Sequence, residues 1–168
     1  MAKFSSNFTD SYGYLEAQKQ DDDTFSVDEL LEVLRPAGLR LKEFYQQTIR
    51  RLFKQRTGSL AESIDIEDDY IKNKYAAITV KPFGTHKTGS YTRKSRAGSA
   101  SAKYAKHNRK PSKKKVKNEE VAYLLEYGTP RITATHWMEN ANDEISEEIQ
   151  DMIESEFTTL LRKKGLIE

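Results

Sequence analysis

The chain has 168 residues, 36% hydrophobic and 32% charged, enough for one domain with a modest core and a heavily ionic surface. It has no run of about 18 apolar residues to span a bilayer, and the opening MAKFSSNFTDSYGY lacks the apolar stretch of a signal peptide, so the expectation is assembly in a cytoplasm with no membrane partner. The absence of cysteine excludes disulfides and thiolate metal sites, and a net charge of +2 hides a segregation: residues 81–118 carry 13 Lys and Arg and no Asp or Glu, leaving 15 basic against 26 acidic residues elsewhere.

Residues 1–25 are polar, with scattered aromatics (Phe4, Phe8, Tyr12, Tyr14) and the run Asp21-Asp22-Asp23. No period is visible, so this stretch reads as an N-terminal arm ordered by a partner, ahead of a single α+β domain over 26–168. Helical signals begin at FSVDELLEVL, where Ser26 and Glu29 have the spacing of a capping box. Pro36 and Gly38 predict a break or kink. A second amphipathic helix over roughly 39–56 gathers Leu41, Phe44, Tyr45, Ile49, Leu52 and Phe53 on one face.

In RTGSLAES, at 56–63, Gly58 suits the left-handed residue that closes a helix, and Ser59 with Glu62 suggests a second capping box. Alternation in SIDIEDDYI and YAAITVKP predicts two strands joined by a turn around 71–74. The stretch 83–118, rich in Gly, Ser, Lys and Pro without apolar period, reads as a long basic loop inserted in the domain. VAYLLEYGT is a short apolar element closed by a turn at Gly128, and Thr135 is the expected cap of a long final helix. Met138, Ala141, Ile145, Ile149, Met152, Ile153, Phe157, Leu160 and Leu161 form its stripe, with Lys163, Lys164 and Gly165 as its stop. The expected core combines Leu41, Phe44, Leu52, Phe53, Trp137, Met138, Ile145 and Phe157.

Three groups of residues suggest chemistry. Glu67, Asp68 and Asp69, with Glu126, are residue types that hold Mg2+ against phosphate in metal-dependent hydrolases. Neighbours on a strand point to opposite sides, however, so a solvated turn is the plainer reading. His86, His107 and His136 lie far apart, with no i, i+4 pair for zinc. No catalytic residue, cofactor or metal is assigned, and the chain is read as no enzyme. The basic loop is the strongest functional signal. Its Arg93, Lys94, Arg96, Arg109, Lys113, Lys114 and Lys115 are the candidate partner-binding residues. They suit nucleic-acid phosphates, with Tyr91 and Tyr104 to stack on bases, or an acidic protein surface such as a neighbouring copy, or water alone.

The order of elements resembles the minor tail-component and tail-completion proteins of long-tailed bacteriophages. The matching pieces are the amphipathic helix ending in RTGSLAESI, the strand YAAITV, the turn in VAYLLEYGT, and THWMENANDEI opening the last helix, together covering about residues 28–165. The N-terminal arm and the lysine-rich loop depart from the simple pattern. The resemblance implies an α+β subunit in which a small antiparallel sheet packs against an amphipathic helix and a long C-terminal helix. It also implies a virion protein of the neck, in a hexameric ring (a dodecamer being the alternative) that contacts the head connector, the tail-tube and terminator proteins, and the genomic DNA in the channel. The alternative from the residues themselves is a non-specific nucleic-acid-binding protein using loop 83–118.

Overall fold

A computed structural model describes residues 3–7, 12–18, 24–53, 58–71, 75–87 and 115–168. Strands β1 (Lys3–Asn7), β2 (Gly13–Gln18), β3 (Ile64–Ile71) and β4 (Tyr75–Pro82) form one antiparallel sheet in the order β1-β2-β4-β3. Helix α1 (Val27–Leu52) lies on one face of β2, β4 and β3, α2 (Gly58–Ser63) leads into β3, and α3 (Asn118–Tyr127) precedes α4 (Trp137–Lys163). Strands β5 (Thr85–Lys87) and β6 (Lys115–Lys117) make a separate two-stranded ladder. The fold is α+β, a small antiparallel sheet with helices that include a long C-terminal one.

The period of two in the strands decides which side is buried. Leu15 and Ala17 of β2, Ile64 of β3, and Ala76, Ile78 and Val80 of β4 turn to the core, while Glu16, Glu67, Thr79 and Lys81 keep partial contact with solvent. Against them α1 buries Leu30, Leu31, Leu34, Leu41, Tyr45 and Ile49. Helix α4 runs antiparallel beside α1. Phe25 meets Phe157 at 5.5 Å, Tyr45 meets Trp137 at 5.6 Å, and Arg40 and Glu148 pair at 2.6 Å. The expected stripe of α4 is inward: Met138, Ala141, Ile145, Ile149 and Ile153 are buried, with Met152, Phe157, Leu160 and Leu161 packed at the margin.

Several expectations are corrected. Residues 1–25 are no simple arm: β2 sits inside the sheet between β1 and β4, paired from Gly13↔Val80 to Gln18↔Tyr75. Its inward side chains are only Leu15 and Ala17, too few to stand out as a period. Helix α1 is continuous through Pro36. A proline inside a helix costs about 3 kcal/mol, but burying Val33, Leu34 and Leu41 around it returns about 2 kcal/mol for each side chain. Gly38 serves close packing instead of a break, since a Cβ there would come 2.9 Å from Cγ2 of Ile78.

Helix α1 stops at Leu52, so Gly58 does not close it but opens α2; residues 54–57 lie outside the described residues. Ser59 is inside α2 and is not its N-cap. Leu52 is 49% exposed, for as the last residue of α1 it has no further turn beside it. Phe44, Phe53 and Phe157 are marginal, whereas Leu41, Trp137, Met138 and Ile145 are core. The Ser26–Glu29 capping box is present in both directions, at 3.2 Å and 2.8 Å. Gly165, at φ 67°, closes α4 with its N–H on Arg162 O and that of Leu166 on Leu161 O, both at 3.0 Å.

Candidate interaction surface

The two ends of the basic stretch are fixed to the body. Thr85 pairs with Lys117 and Lys87 with Lys115. Phe83 N–H donates to Ser63 O at 2.8 Å. Buried Asn118 closes the base from the other side: its backbone N–H donates to Gly84 O at 3.0 Å and its Nδ2 to Phe83 O at 2.6 Å. The stretch expected to be loop throughout thus begins and ends in paired strands, because a buried asparagine and a short ladder satisfy backbone groups that composition alone leaves unassigned. Of the candidate partner-binding residues, Lys115 lies on β6 and is exposed, as is Lys117. Arg93, Lys94, Arg96, Arg109, Lys113 and Lys114 lie outside the described residues, as do Tyr91, Tyr104 and His107.

Helix α3 follows β6 directly. Its inner side buries Asn118, Ala122 and Glu126, and Ala122 O accepts the Trp137 indole N–H at 3.4 Å. Its outer side leaves Tyr123, Leu124 and Tyr127 exposed by 55%, 40% and 47%, with the two tyrosine rings 4.6 Å apart. Ile132, in the turn that follows, is 45% exposed. The apolar run in VAYLLEY therefore does not all enter the core. At 100° per residue, positions 122 and 126 face inward while 123, 124 and 127 fall on the far side. The helical wheel was the available signal for these residues. Tyr12 flanks the same face, its hydroxyl pushed up by burial and by its hydrogen bond to the Glu119 carboxylate.

The turn after α3 sets the entry of α4. Gly128 has φ 75° and ψ −174°, a conformation for glycine alone, and a Cβ there would sit 2.6 Å from Ala134 N and 2.7 Å from Ile132 O. Thr129 and Ile132 form a bridge across the turn. Thr135 is not the helix cap: its hydroxyl and its N–H both donate to Leu125 O, at 2.6 and 3.0 Å. His136 holds the N-cap position in the left-handed region, at φ 48° and ψ 38°. The missing cap comes from the preceding helix. The carboxylate of Glu126, 2% exposed, accepts the N–H groups of Met138 at 2.8 Å and Glu139 at 3.2 Å. A buried carboxylate at the positive end of a helix is favoured by both the free N–H groups and the dipole. Tyr45 adds a buried hydrogen bond to Asn142 Oδ1 at 2.5 Å, and burial pushes its hydroxyl pKa up.

Glu126, His136 and Glu139 have ligand atoms within 4.8 Å of one another, close enough to hold a metal, a grouping that their sequence separation conceals. His136 Nδ1 lies 3.2 Å from Glu139 Oε2. Both oxygens of Glu126 are already engaged by backbone N–H groups, and the helix end repels cations, so the arrangement is accounted for as a cap. The described carboxylates on β3 each take a separate cation: Asp65 pairs with Lys42 at 2.8 Å, Asp68 with Arg35 at 2.6 Å, and Glu67 with Lys81, while the Asp69 side chain lies outside the description.

Helix α4 carries the opposite charge to the basic stretch. From 137 to 161 it has eight Asp and Glu and no Lys, Arg or His. Arg40 and Arg51 neutralise Glu148 and Glu144. Asp143, Glu147 and Asp151 lie exposed at i, i+4 spacing along its outer side. No helix among the described residues is long and apolar enough to cross a membrane. Comparison with models of known families, with characterised proteins and with solved structures gives no match, so the functional reading rests on the chain's own residues.

Proposed function

We propose that this chain is a structural subunit of the neck of a tailed bacteriophage, forming a hexameric ring at the head-proximal end of the tail and joining it to the head connector; a dodecameric ring on the head side is the alternative closure. The observation that carries the reading is how the Glu-Tyr-Gly-Thr segment behaves. Glu126 caps α4, Gly128 makes the turn, Thr129 bridges it, and the following helix packs the length of α1. The short motif behind the resemblance is thus a working joint of the fold.

The charge distribution supports the same reading. An acidic body with one basic limb suits head-to-tail contacts, in which unlike faces of successive copies meet and the ring closes. The mechanism is complementarity of surfaces, with no turnover. Quantitative mass spectrometry of purified particles tests it. A ratio to the capsid subunit equivalent to about six or twelve copies, as closed rings give, is the expected result, and absence from particles overturns the reading.

The acid-free basic stretch favours one second reading, a nucleic-acid-binding protein. That reading requires duplex DNA affinity to fall by orders of magnitude between about 50 and 200 mM salt.

A further inference from the structure

The β5–β6 ladder is short, and its two faces differ. Its register sets Thr85 opposite Lys117 and Lys87 opposite Lys115, with His86 opposite Val116 between them. Successive residues of a strand alternate in direction, so Lys115 and Lys117 share one face with Thr85, and Val116 takes the other. Lys115, Lys117 and Thr85 are exposed, whereas Val116 is half-buried. Two residues along a strand span roughly 6.7 Å, so the ladder sets its two exposed lysines at a fixed spacing.

These lysines have no acid to meet. No Asp or Glu occurs from 81 to 118, and neither Lys115 nor Lys117 forms an ion pair with a described carboxylate. The next carboxylates in the chain, Glu119 and Glu120, belong to the first turn of α3, where they suit the helix dipole, and Glu119 receives the Tyr12 hydroxyl. Lys87 stands directly across the ladder from Lys115, and like charges so placed destabilise a strand pair. Backbone pairing and Asn118 hold the ladder closed all the same. A polyanion laid against this face removes the repulsion.

The surroundings select the kind of polyanion. Residues 84–115 contain no Val, Ile, Leu, Met, Phe or Trp. Protein–protein interfaces are centred on such side chains and are depleted in lysine, whereas nucleic-acid interfaces are strongly basic and grip phosphates with cations and hydroxyl groups. Thr85, opposite Lys117, is a hydroxyl of that kind. The ladder itself carries no Phe, Tyr or Trp on which unpaired bases could stack, which favours a duplex over a single strand. We propose that the Lys115–Lys117 face of the β5–β6 ladder is a docking surface for the phosphate backbone of a nucleic-acid duplex, reading charge and not base sequence. It deepens the nucleic-acid reading and rests on it.

The test is the salt dependence of binding to a short duplex DNA, measured with the full-length chain between about 50 and 200 mM salt. Each phosphate contact adds about 0.9 to the slope of log affinity against log salt, so Lys115→Gln/Lys117→Gln should lower the slope by about 1.8 and each single substitution by about 0.9. The loss should be equal for two duplexes of unrelated sequence, since phosphate contacts carry no base information. Lys115→Arg/Lys117→Arg keeps both charges and should keep the slope. Arg50→Gln/Arg162→Gln removes two exposed cations outside the ladder and should leave the slope unchanged. A wild-type slope in the Lys→Gln variants overturns the ladder surface, while duplex binding by the wild type still upholds the nucleic-acid reading. A wild type that binds no duplex even at about 50 mM salt overturns both. Displacement of the duplex by polyglutamate as readily as by polyphosphate of equal charge would assign the surface to an acidic protein and likewise overturn the proposal.

Discussion

Helices α1 and α4 are of nearly equal length, 26 and 27 residues, and they start by different means. Helix α1 begins with a device written in four consecutive residues: the hydroxyl of Ser26 accepts from Glu29 N–H and the carboxylate of Glu29 accepts from Ser26 N–H, at the surface. Helix α4 begins with Glu126, twelve residues upstream of Met138, buried and reaching in from another helix. One start is local and exposed; the other is a tertiary contact that forms only when α3, the Gly128 turn and α4 are all in place. The first fixes where a helix starts, and the second also fixes how two helices are joined.

The sharpest way to break the contrast is at Glu126. Glu126→Ala leaves two buried N–H donors without acceptors and should cost about 3–4 kcal/mol, read from chemical denaturation. Glu126→Gln keeps one oxygen acceptor but sets an amide N–H2 against the other donor, so it should cost about 2 kcal/mol. If both substitutions cost less than the Ser26 change below, the joint is not what holds α4. Next comes Gly128→Ala. The backbone strain of about 1–3 kcal/mol, added to a Cβ forced against Ala134 N and Ile132 O, should destabilise by about 3 kcal/mol. Its hydrogen exchange should rise at Met138 and Glu139 before it rises in the sheet.

The local cap gives the smallest effect. Ser26→Ala should cost about 1 kcal/mol. Its pH dependence sharpens the comparison, because the Lys164 ammonium, and then the Ser26 N–H, hold the Glu29 carboxyl below the usual range. A carboxyl depressed on folding contributes stability above its unfolded pKa and loses it as pH falls through the folded one. Wild type should therefore lose stability between about pH 5 and 3, and Glu29→Gln should flatten the dependence of Tm on pH over that window. An unchanged profile would remove Glu29 as a titrating contributor.

The same contrast explains what was legible in the sequence. Signals confined to neighbouring residues were readable: the Ser26–Glu29 box, the 3.6-residue stripes of α1 and α4, the β3–β4 pair, and the stop at Gly165. Signals that depend on distant partners were not. Pro36 is tolerated because of residues it packs among, β2 is a strand because β4 lies beside it, and Thr135 yields the cap to a glutamate from another helix. Of the candidate partner residues, only Lys115 falls in the described part, exposed as its charge implied. The α3 face is not marked in the same way, because an apolar run as short as VAYLLEY reads as one element, and its split into an inner and an outer side follows only once the segment is known to be helical.

The pairing of Thr85–Lys87 with Lys115–Lys117 has a consequence for how such a chain can change over time. Lys87 and Lys115 stand directly opposite each other at the end of this ladder, and Asn118 holds its base. Doubling the length of a stretch closed in this way costs only about 0.6 kcal/mol of closure entropy. By that term alone, a change in the number of residues between Lys87 and Lys115 weighs little against the ladder that closes them. The clasp itself is made entirely of backbone pairing and one asparagine, so the side chains of Thr85–Lys87 and Lys115–Lys117 can be rewritten without removing the bonds that close it.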